Sequence, residues 1–129
     1  MTGGAGFIGS HMVDLLLSQG YFVRVIDNLS GGHQKNLKHC LSDKKLKFKK
    51  YDICKLRYND SFFKNVDYVF HFAGIGDIVP SIENPEKYML TNVQGTIKVL
   101  EASRYNNIKK FVYAASASCY GKTKGLTNE

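Results

Sequence analysis

The chain has 129 residues, of which 43% are apolar and 12% aromatic, and this is enough for the core of one globular domain, residues 1–129. It contains no run of about 18 apolar residues and no basic N-terminal segment followed by a cleavage region, so we expect a cytoplasmic protein with no membrane partner. Its three cysteines, Cys40, Cys54 and Cys119, lack paired spacing, which predicts reduced thiols and neither a disulfide framework nor a metal site.

The net charge of +7 comes largely from lysines between residues 35 and 64. A nucleic-acid surface is one interpretation of such a stretch. The lysines alternate with Leu46, Phe48 and Tyr51, however, and this pattern is typical of the outward face of an edge strand. We therefore expect no nucleic-acid partner, and a basic rim that attracts an anionic nucleotide.

A glycine-rich stretch near the N-terminus organises the chain. Gly4, Gly6 and Gly9 fit the spacing G-x-G-x-x-G, in which missing side chains allow a tight turn, a close approach to a pyrophosphate and the packing of a helix on a sheet. Apolar residues at helical spacing predict a helix from Ile8 to a stop at Gly20, and its N-terminus offers free N–H groups to a phosphate. Only two residues precede the turn, so we expect the first, central strand of the sheet to be absent.

The next apolar run, residues 21–26, predicts a strand buried on both faces. This strand delivers Asp27 to its carboxyl end, where the dinucleotide fingerprint places a carboxylate for the ribose diol. The turn at residues 28–32 either folds over an adenosine or reverses the chain. Together these features predict a bound dinucleotide; the alternative is a glycine-rich turn that merely joins a strand to a helix.

Two short helices are predicted at residues 34–41 and 58–64, on either side of a second strand at 46–53. Asp52 and Ile53 at the end of this strand suit an adenine, because a carboxylate or backbone group meets the exocyclic amine while the isoleucine covers the ring. Burial of Ile53 in the core explains the same pattern.

A third strand at residues 66–72 leads into small residues at 73–76 that let the backbone pass close to a cofactor. His71 lies inside this apolar run and is interpreted as a hydrogen-bonded core histidine rather than a catalytic one. A fourth strand at 110–115 ends in hydroxyl-bearing residues, and the polar, aperiodic residues 122–129 predict a loop. This alternation of strands and helices indicates an α/β fold.

A long helix is predicted from Pro85 to about Tyr105, with Asn84 as its cap. Four apolar residues at helical spacing form its expected buried stripe, Leu90, Val93, Ile97 and Leu100. Asn92 lies off this stripe and either faces solvent or reaches back to order the preceding loop and a cofactor.

Six segments form a specific set that runs along nearly the whole chain, at 2–11, 27–29, 52–53, 71–74, 92–96 and 111–121. This set resembles the extended short-chain dehydrogenase/reductase family, most closely its NAD-dependent epimerase/dehydratase branch. His-Phe-Ala-Gly at 71–74 is similar to UDP-glucose 4-epimerases. The resemblance implies a Rossmann-type doubly wound parallel sheet that is incomplete, in an N-terminal fragment from which the first strand and the C-terminal substrate domain are missing.

The resemblance also implies which residues bind NAD. They are Gly3, Gly6, Phe7, Ile8 and Gly9 at the pyrophosphate, Asp27 and Asn28 at the adenosine ribose, Asp52 and Ile53 at the adenine, Phe72, Ala73 and Gly74 on the nicotinamide side, and Asn92. NAD is favoured over NADP because the carboxylate of Asp27 would repel a 2′-phosphate.

For catalysis, the resemblance implies that Ser116 hydrogen-bonds the sugar hydroxyl being oxidised, while the tyrosine of a Tyr-x-x-x-Lys pair removes its proton. Tyr120 and Lys124 fit that spacing literally. We interpret the match as coincidental, because Gly121 and Gly125 make the segment a poor helix and the family places its pair further downstream.

The intact parent is therefore expected to be a UDP-glucose 4-epimerase-like enzyme that oxidises a nucleotide sugar transiently with tightly bound NAD, acts on a UDP-sugar and dimerises through its long helices. The fragment itself is expected to be inactive. A nucleotide-sugar 4,6-dehydratase, a UDP-glucuronate decarboxylase and a non-catalytic NAD-binding module are the alternatives.

Overall fold

The computed structural model describes residues 1–122 and 125. Four strands, β1 (Val23–Asp27), β2 (Leu46–Lys50), β3 (Tyr68–His71) and β4 (Lys110–Tyr113), form two parallel pairs. β1 pairs with β2 and β3 pairs with β4. The predicted parallel α/β architecture is therefore confirmed, although each strand is shorter than its apolar run suggested.

Residues 1–3 lie between the two strand pairs and join them. Thr2 forms parallel bridges with both Ile26 and His71. The amide of Gly3 donates to the carbonyl of Ile26 at 2.9 Å, and the amide of Phe72 donates to the carbonyl of Thr2 at 3.1 Å. The order across the sheet is β2, β1, Thr2, β3, β4, with a single bridging residue in the central position.

Helix α1 (Phe7–Ser18) covers one face of the sheet. It ends before Gly20, whose φ of 86° stops it as predicted. Its buried Val13 packs in one core cluster with Val23 and Val25 of β1. The opposite face carries a second cluster that includes Ile26, so helical segments cover both faces of the sheet.

A long helical segment covers this second face and is built from α3 (Pro85–Tyr88), one π-helical stretch (Met89–Gly95) and α4 (Thr96–Tyr105). Asn84 caps it as predicted, because its Oδ1 accepts the amide of Lys87 at 3.2 Å. Val99 and Ala102 of α4 pack in the second core cluster.

The predicted buried stripe of this helix is wrong. Its four residues are between 44% and 53% exposed, Leu90, Val93, Ile97 and Leu100. The segment instead contacts the core through smaller residues: a Cβ on Gly95 would lie 2.7 Å from Cδ1 of Ile53. The helix therefore approaches the sheet closely through the face that carries small side chains, and its large apolar side chains are exposed.

The remaining elements are short. Helix α2 (Ile78–Glu83) precedes α3, and 3-10 turns occur at Gln34–Leu37, Ile53–Lys55, Ser61–Phe63 and Ala117–Tyr120. The two helices predicted at 34–41 and 58–64 are thus single 3-10 turns. Among the described residues, no helix combines the length and the apolar character needed to cross a membrane.

The lysine-rich stretch surrounds β2, which pairs only with β1 among the described strands and lies at the edge of the sheet. Lys47 and Lys50 of this strand are exposed. Lys49 instead donates to Asp60 at 2.8 Å and lies 4.5 Å from the ring centre of Tyr51. This arrangement fits the interpretation of the lysines as the outward face of an edge strand.

Candidate functional site

The glycine turn brings the backbone of residues 3–9 close to the ends of β1 and β3. Gly3 has a φ of 69°, and a Cβ at this position would lie 2.6 Å from the backbone nitrogen of Ala73. A Cβ on Gly9 would collide with the carbonyl oxygen of Gly3, so α1 packs directly onto the turn. Both positions require glycine for the close approach that the fingerprint predicts.

Helix α1 begins immediately after this turn, with Gly6 as its N-cap residue. An α-helix leaves its first amides without carbonyl partners inside the helix, and here these are the amides of Phe7, Ile8 and Gly9. The side chains of Phe7 and Ile8 are exposed, so what these residues offer at the turn is their backbone. The free amides and the positive end of the helix dipole suit a phosphate.

Asp27 is held rigidly at the carboxyl end of β1. Its carboxylate is almost fully buried, at 7% exposure for the residue. Oδ2 accepts the amide of Ala5 at 2.9 Å and Oδ1 accepts the amide of Leu29 at 2.8 Å. Each carboxylate oxygen has a further lone pair, so Asp27 can still accept a hydrogen bond from each hydroxyl of a vicinal diol.

A groove of about 210 Å³ opens at this edge of the sheet. The predicted residues that line it are Gly3, Gly6, Asp27, Asn28, Ile53, Phe72, Ala73 and Gly74. Its volume is below the roughly 300–1,000 Å³ of ordinary small-molecule pockets, so the enclosed part accommodates a portion of a dinucleotide and the rest lies along the open surface. The groove brings together residues from both strand pairs.

Sequence reasoning missed several lining residues, namely Tyr51, Ile75 and Thr91. Ser30, Gly31 and Gly32 also line the groove, as the interpretation of 28–32 as a turn over an adenosine allowed. Tyr51 directly precedes the predicted Asp52, which was the available signal. Ile75 lies in the segment 73–76 that was expected to pass close to a cofactor, whereas Thr91 has no sequence signal.

Other predicted residues lie outside the lining of the described groove. Asp52 caps the 3-10 turn at Ile53–Lys55, because its Oδ1 accepts the amide of Cys54 at 2.9 Å. Asn92 holds the loop after β3: Oδ1 accepts the amide of Ile75 at 2.8 Å and Nδ2 donates to the carbonyl of Ile75 at 2.9 Å. Of the two roles considered for Asn92, the structure shows the ordering of the loop.

His71 is a buried core histidine, as predicted, with 1% exposure. The hydroxyl of Thr96 donates to the carbonyl of Asn92 at 2.7 Å, so it accepts from Nε2 of His71 at 2.9 Å. Nδ1 therefore carries no proton and accepts from the hydroxyl of Thr2 at 2.6 Å. Burial, followed by the nearby N-terminal ammonium, lowers the pKa of His71 to about 4, so the imidazole is neutral at pH 7.

Ser116 follows β4 by three residues and is exposed, and its carbonyl accepts the amide of Cys119 at 3.2 Å. Tyr120 is also exposed and ends the last 3-10 turn. Gly121 has a φ of 68°, which interrupts helical backbone directly after Tyr120. Lys124 lies outside the described residues. The local backbone thus does not support a helical Tyr120–Lys124 pair.

The family model for NAD dependent epimerase/dehydratase proteins matches residues 1–129. A UDP-glucose 4-epimerase of Bacillus subtilis is 38% identical over 135 residues, a match that spans 100% of this chain and 40% of the relative. A UDP-N-acetylglucosamine 4-epimerase from Methanobrevibacter ruminantium has a similar structure, with a TM-score of 0.89 and 35% identity over 99% of this chain and 40% of that one.

The dTDP-glucose 4,6-dehydratase DesIV from Streptomyces venezuelae, solved with NAD bound, gives a TM-score of 0.79 at 34% identity, and covers 85% of this chain and 36% of that one. The chain thus spans about two fifths of the relatives it matches, and its fold corresponds to their NAD-binding part. Because the family model matches the chain along its whole length, the chain belongs to the NAD-dependent epimerase/dehydratase family.

Proposed function

We propose that this chain binds NAD as the dinucleotide-binding part of a nucleotide-sugar epimerase of the UDP-glucose 4-epimerase type. The observation that carries the proposal is the carboxylate of Asp27, oriented by two backbone amides beside a turn where Gly3 and Gly9 have no room for a side chain. The donor set fits NAD, because it combines free helix amides for a pyrophosphate with a buried acceptor for a ribose diol. Bound NAD supplies a reversible hydride acceptor.

Each side of the groove then has a role in binding. The free amides of Phe7, Ile8 and Gly9 bind the pyrophosphate, and Asp27 with Asn28 binds the adenosine ribose. Ile53 lies against the adenine and is kept in place by its contact with Gly95. Asp52 acts mainly through its cap on the turn that carries Ile53.

On the nicotinamide side, Phe72, Ala73 and Gly74 follow β3 and line the same groove. Asn92 supports this side indirectly, because it binds both backbone polar groups of Ile75. Ser116, beyond the end of β4, hydrogen-bonds the sugar hydroxyl that loses its proton. The proton acceptor is a residue other than Tyr120, since Gly121 breaks the helix that a Tyr-x-x-x-Lys pair requires.

The chain selects NAD over NADP because the ribose site is formed by a carboxylate. Asp27 accepts from the 2′-hydroxyl of NAD, whereas a 2′-phosphate would place like charges in a buried site. The UDP-sugar class of the substrate is inferred from the epimerases that the chain resembles. A 4,6-dehydratase remains the neighbouring alternative on the same grounds.

Calorimetric titration with NAD and NADP tests the proposal. Asp27→Asn should weaken NAD binding by about 10- to 100-fold, because a hydrogen bond to a charged group contributes about 1.5–3 kcal/mol. Asp67→Asn is the matched control, since Asp67 is exposed and pairs with Lys109. Tighter binding of NADP than of NAD, or equal NAD binding by the Asp27→Asn and Asp67→Asn variants, would contradict the assignment.

A second candidate is a non-catalytic NAD-binding module, which the break at Gly121 favours for this chain taken alone. Incubating the NAD-loaded chain with UDP-glucose and measuring UDP-galactose separates the roles. We expect no conversion of UDP-glucose to UDP-galactose, because in this proposal the residue that removes the proton from the sugar hydroxyl is not part of this chain. Turnover that is abolished by Tyr120→Phe would instead assign the base to Tyr120.

A further inference from the structure

Three side chains with different metal-binding groups meet on the surface of α1. Asp14 projects from this helix, and His39 and Cys40 follow the 3-10 turn at Gln34–Leu37. One ligand atom from each, a carboxylate oxygen, an imidazole nitrogen and a sulfur, lies within 4.8 Å of the others. Within residues 1–122 and 125, this is the one place where three histidine, cysteine or acidic side chains converge in this way.

The spacing of these atoms is close to that of a metal-binding set. Zinc bonds of about 2.0–2.3 Å to oxygen, nitrogen and sulfur place tetrahedral ligand atoms about 3.3–3.8 Å apart. Nε2 of His39 lies 2.7 Å from Oδ1 of Asp14, so this pair must open slightly while the sulfur moves closer. The side chains of His39 and Asp14 are 59% and 41% exposed, which leaves them free to make this adjustment.

Cys40 supplies the fixed part of the set. Its side chain is buried in the first core cluster, and its Sγ donates to the carbonyl of Leu37 at 3.2 Å. The carboxylates of Asp14 and Asp43 line the same surface depression as this residue, so a divalent cation there would be electrostatically favoured. A shallow depression lined by Ser42 and Asp43 as well as the three ligands leaves room for a water as the fourth ligand.

We propose that Asp14, His39 and Cys40 bind a late first-row divalent metal ion of the Zn²⁺ type, with water in the fourth position. Imidazole and thiolate together select this class of ion over Mg²⁺ or Ca²⁺. On binding, the thiol proton of Cys40 passes to solvent and its sulfur coordinates the metal as a thiolate. The proton through which Nε2 of His39 bonds to Asp14 is also lost to solvent, and the neutral imidazole keeps its remaining proton on Nδ1, so that Nε2 is free to coordinate. The depression shares no lining residue with the dinucleotide groove among the described residues, so the two sites are separate.

The metal would tie α1 to the segment that leads into β2. These two parts of the chain are otherwise joined by the packing of Cys40 and Val13 in the first core cluster and, at the surface, by the exposed pair of His39 and Asp14. Exposed pairs contribute little to stability. A ligand that binds only the folded chain raises the melting temperature with its concentration. The site would therefore stabilise the packing of α1 and the segment before β2 when a metal is bound.

Anaerobic titration of the reduced chain with Co²⁺ alone tests the site. The titration uses a Cys119→Ser background, because Cys119 is exposed and can bind metal adventitiously. We expect a thiolate-to-cobalt charge-transfer band that Zn²⁺ displaces, with the matched control Cys54→Ser leaving it unchanged. Cys40→Ser should abolish the band, and Zn²⁺ should raise the melting temperature of the background chain only while Cys40 is present.

His39→Gln and Asp14→Asn keep the test decisive if Cys40→Ser fails to fold, because both positions are partly exposed. Each should weaken Co²⁺ binding by at least about tenfold, since even indirect supports of a metal site are worth 10- to 100-fold. A folded background chain without the band would overturn the proposal. So would a band that persists in Cys40→Ser or that is unaffected by both of the other substitutions.

Discussion

Mild acid should destabilise this fold through His71. Its neutral imidazole accepts from Thr2 and donates to Thr96, so a second proton requires the Thr2 hydroxyl to reverse inside the core. The folded-state pKa is about 4, against 6.5 for a solvated histidine, because burial disfavours the charged form. Between these two values the unfolded chain binds a proton that the folded chain excludes.

The size of the effect follows from that difference. One pKa unit corresponds to 1.36 kcal/mol, so this residue contributes about 3 kcal/mol of stability that is complete above pH 6.5 and is lost as the pH falls to 4. That loss is a large fraction of the roughly 5–15 kcal/mol of a typical domain. Urea unfolding followed by circular dichroism at a series of pH values measures it directly.

His71→Gln should be less stable at pH 7 but should flatten the pH dependence over this window, while His33→Gln, at an exposed position, should leave it unchanged. The amine of Met1 also makes the fold less stable as the pH falls, because burial and then the charge of Arg24 lower its pKa to about 5. This amine is present in every variant, so the difference between the parent chain and His71→Gln reports the loss that depends on His71, including its interaction with the amine. An acid loss that is equally steep in the His71→Gln chain would refute the reasoning.

Two further substitutions test the groove. Gly3→Ala places a Cβ 2.6 Å from the backbone of Ala73 at a φ of 69°, so we expect at least about 2 kcal/mol of destabilisation by urea unfolding; an unchanged midpoint would show that the turn relaxes. Asn92→Ala removes both hydrogen bonds to Ile75 and should speed hydrogen exchange of the Ile75 amide while weakening NAD binding severalfold. Asn92→Asp keeps the acceptor for that amide, so its exchange should rise less, and equal exchange in all three chains would contradict the role assigned to Asn92.

The local features of the site were predictable because each has a sequence signature with a physical cause. The glycine spacing marked Gly4 and Gly9, where a Cβ would meet the side chain of Val25 or the carbonyl of Gly3, and the end of an apolar run located Asp27 at the edge of the sheet. His71 was interpretable because a polar residue in the middle of a buried strand must find partners. All three inferences use only neighbouring residues.

The features that could not be predicted depend on contacts between segments that are distant in the sequence. Gly95, Val99 and Ala102 form the buried face, but a stripe of larger apolar residues at helical spacing was the stronger sequence signal, so that stripe was predicted to be buried instead. The partner of Asn92 is Ile75, 17 positions away, and the cluster around Cys40 joins residues more than 20 positions apart. The expectation of no metal site rested on the scattered spacing of the cysteines, and it remains a prediction that the cobalt titration tests.

Thr2 has a consequence for how the protein folds and unfolds. Among the described residues, the strand pairs β1–β2 and β3–β4 exchange backbone hydrogen bonds only through residues 1–3. These three residues form a backbone seam between the two halves. The side chain of Arg24 also joins the halves, because it donates to the carbonyls of Phe62 and Lys64 at 2.8 Å, and so does the packing around Ile26. A dinucleotide that reaches from Asp27 to Phe72 spans the same seam, so binding would fuse two weakly coupled folding units into one.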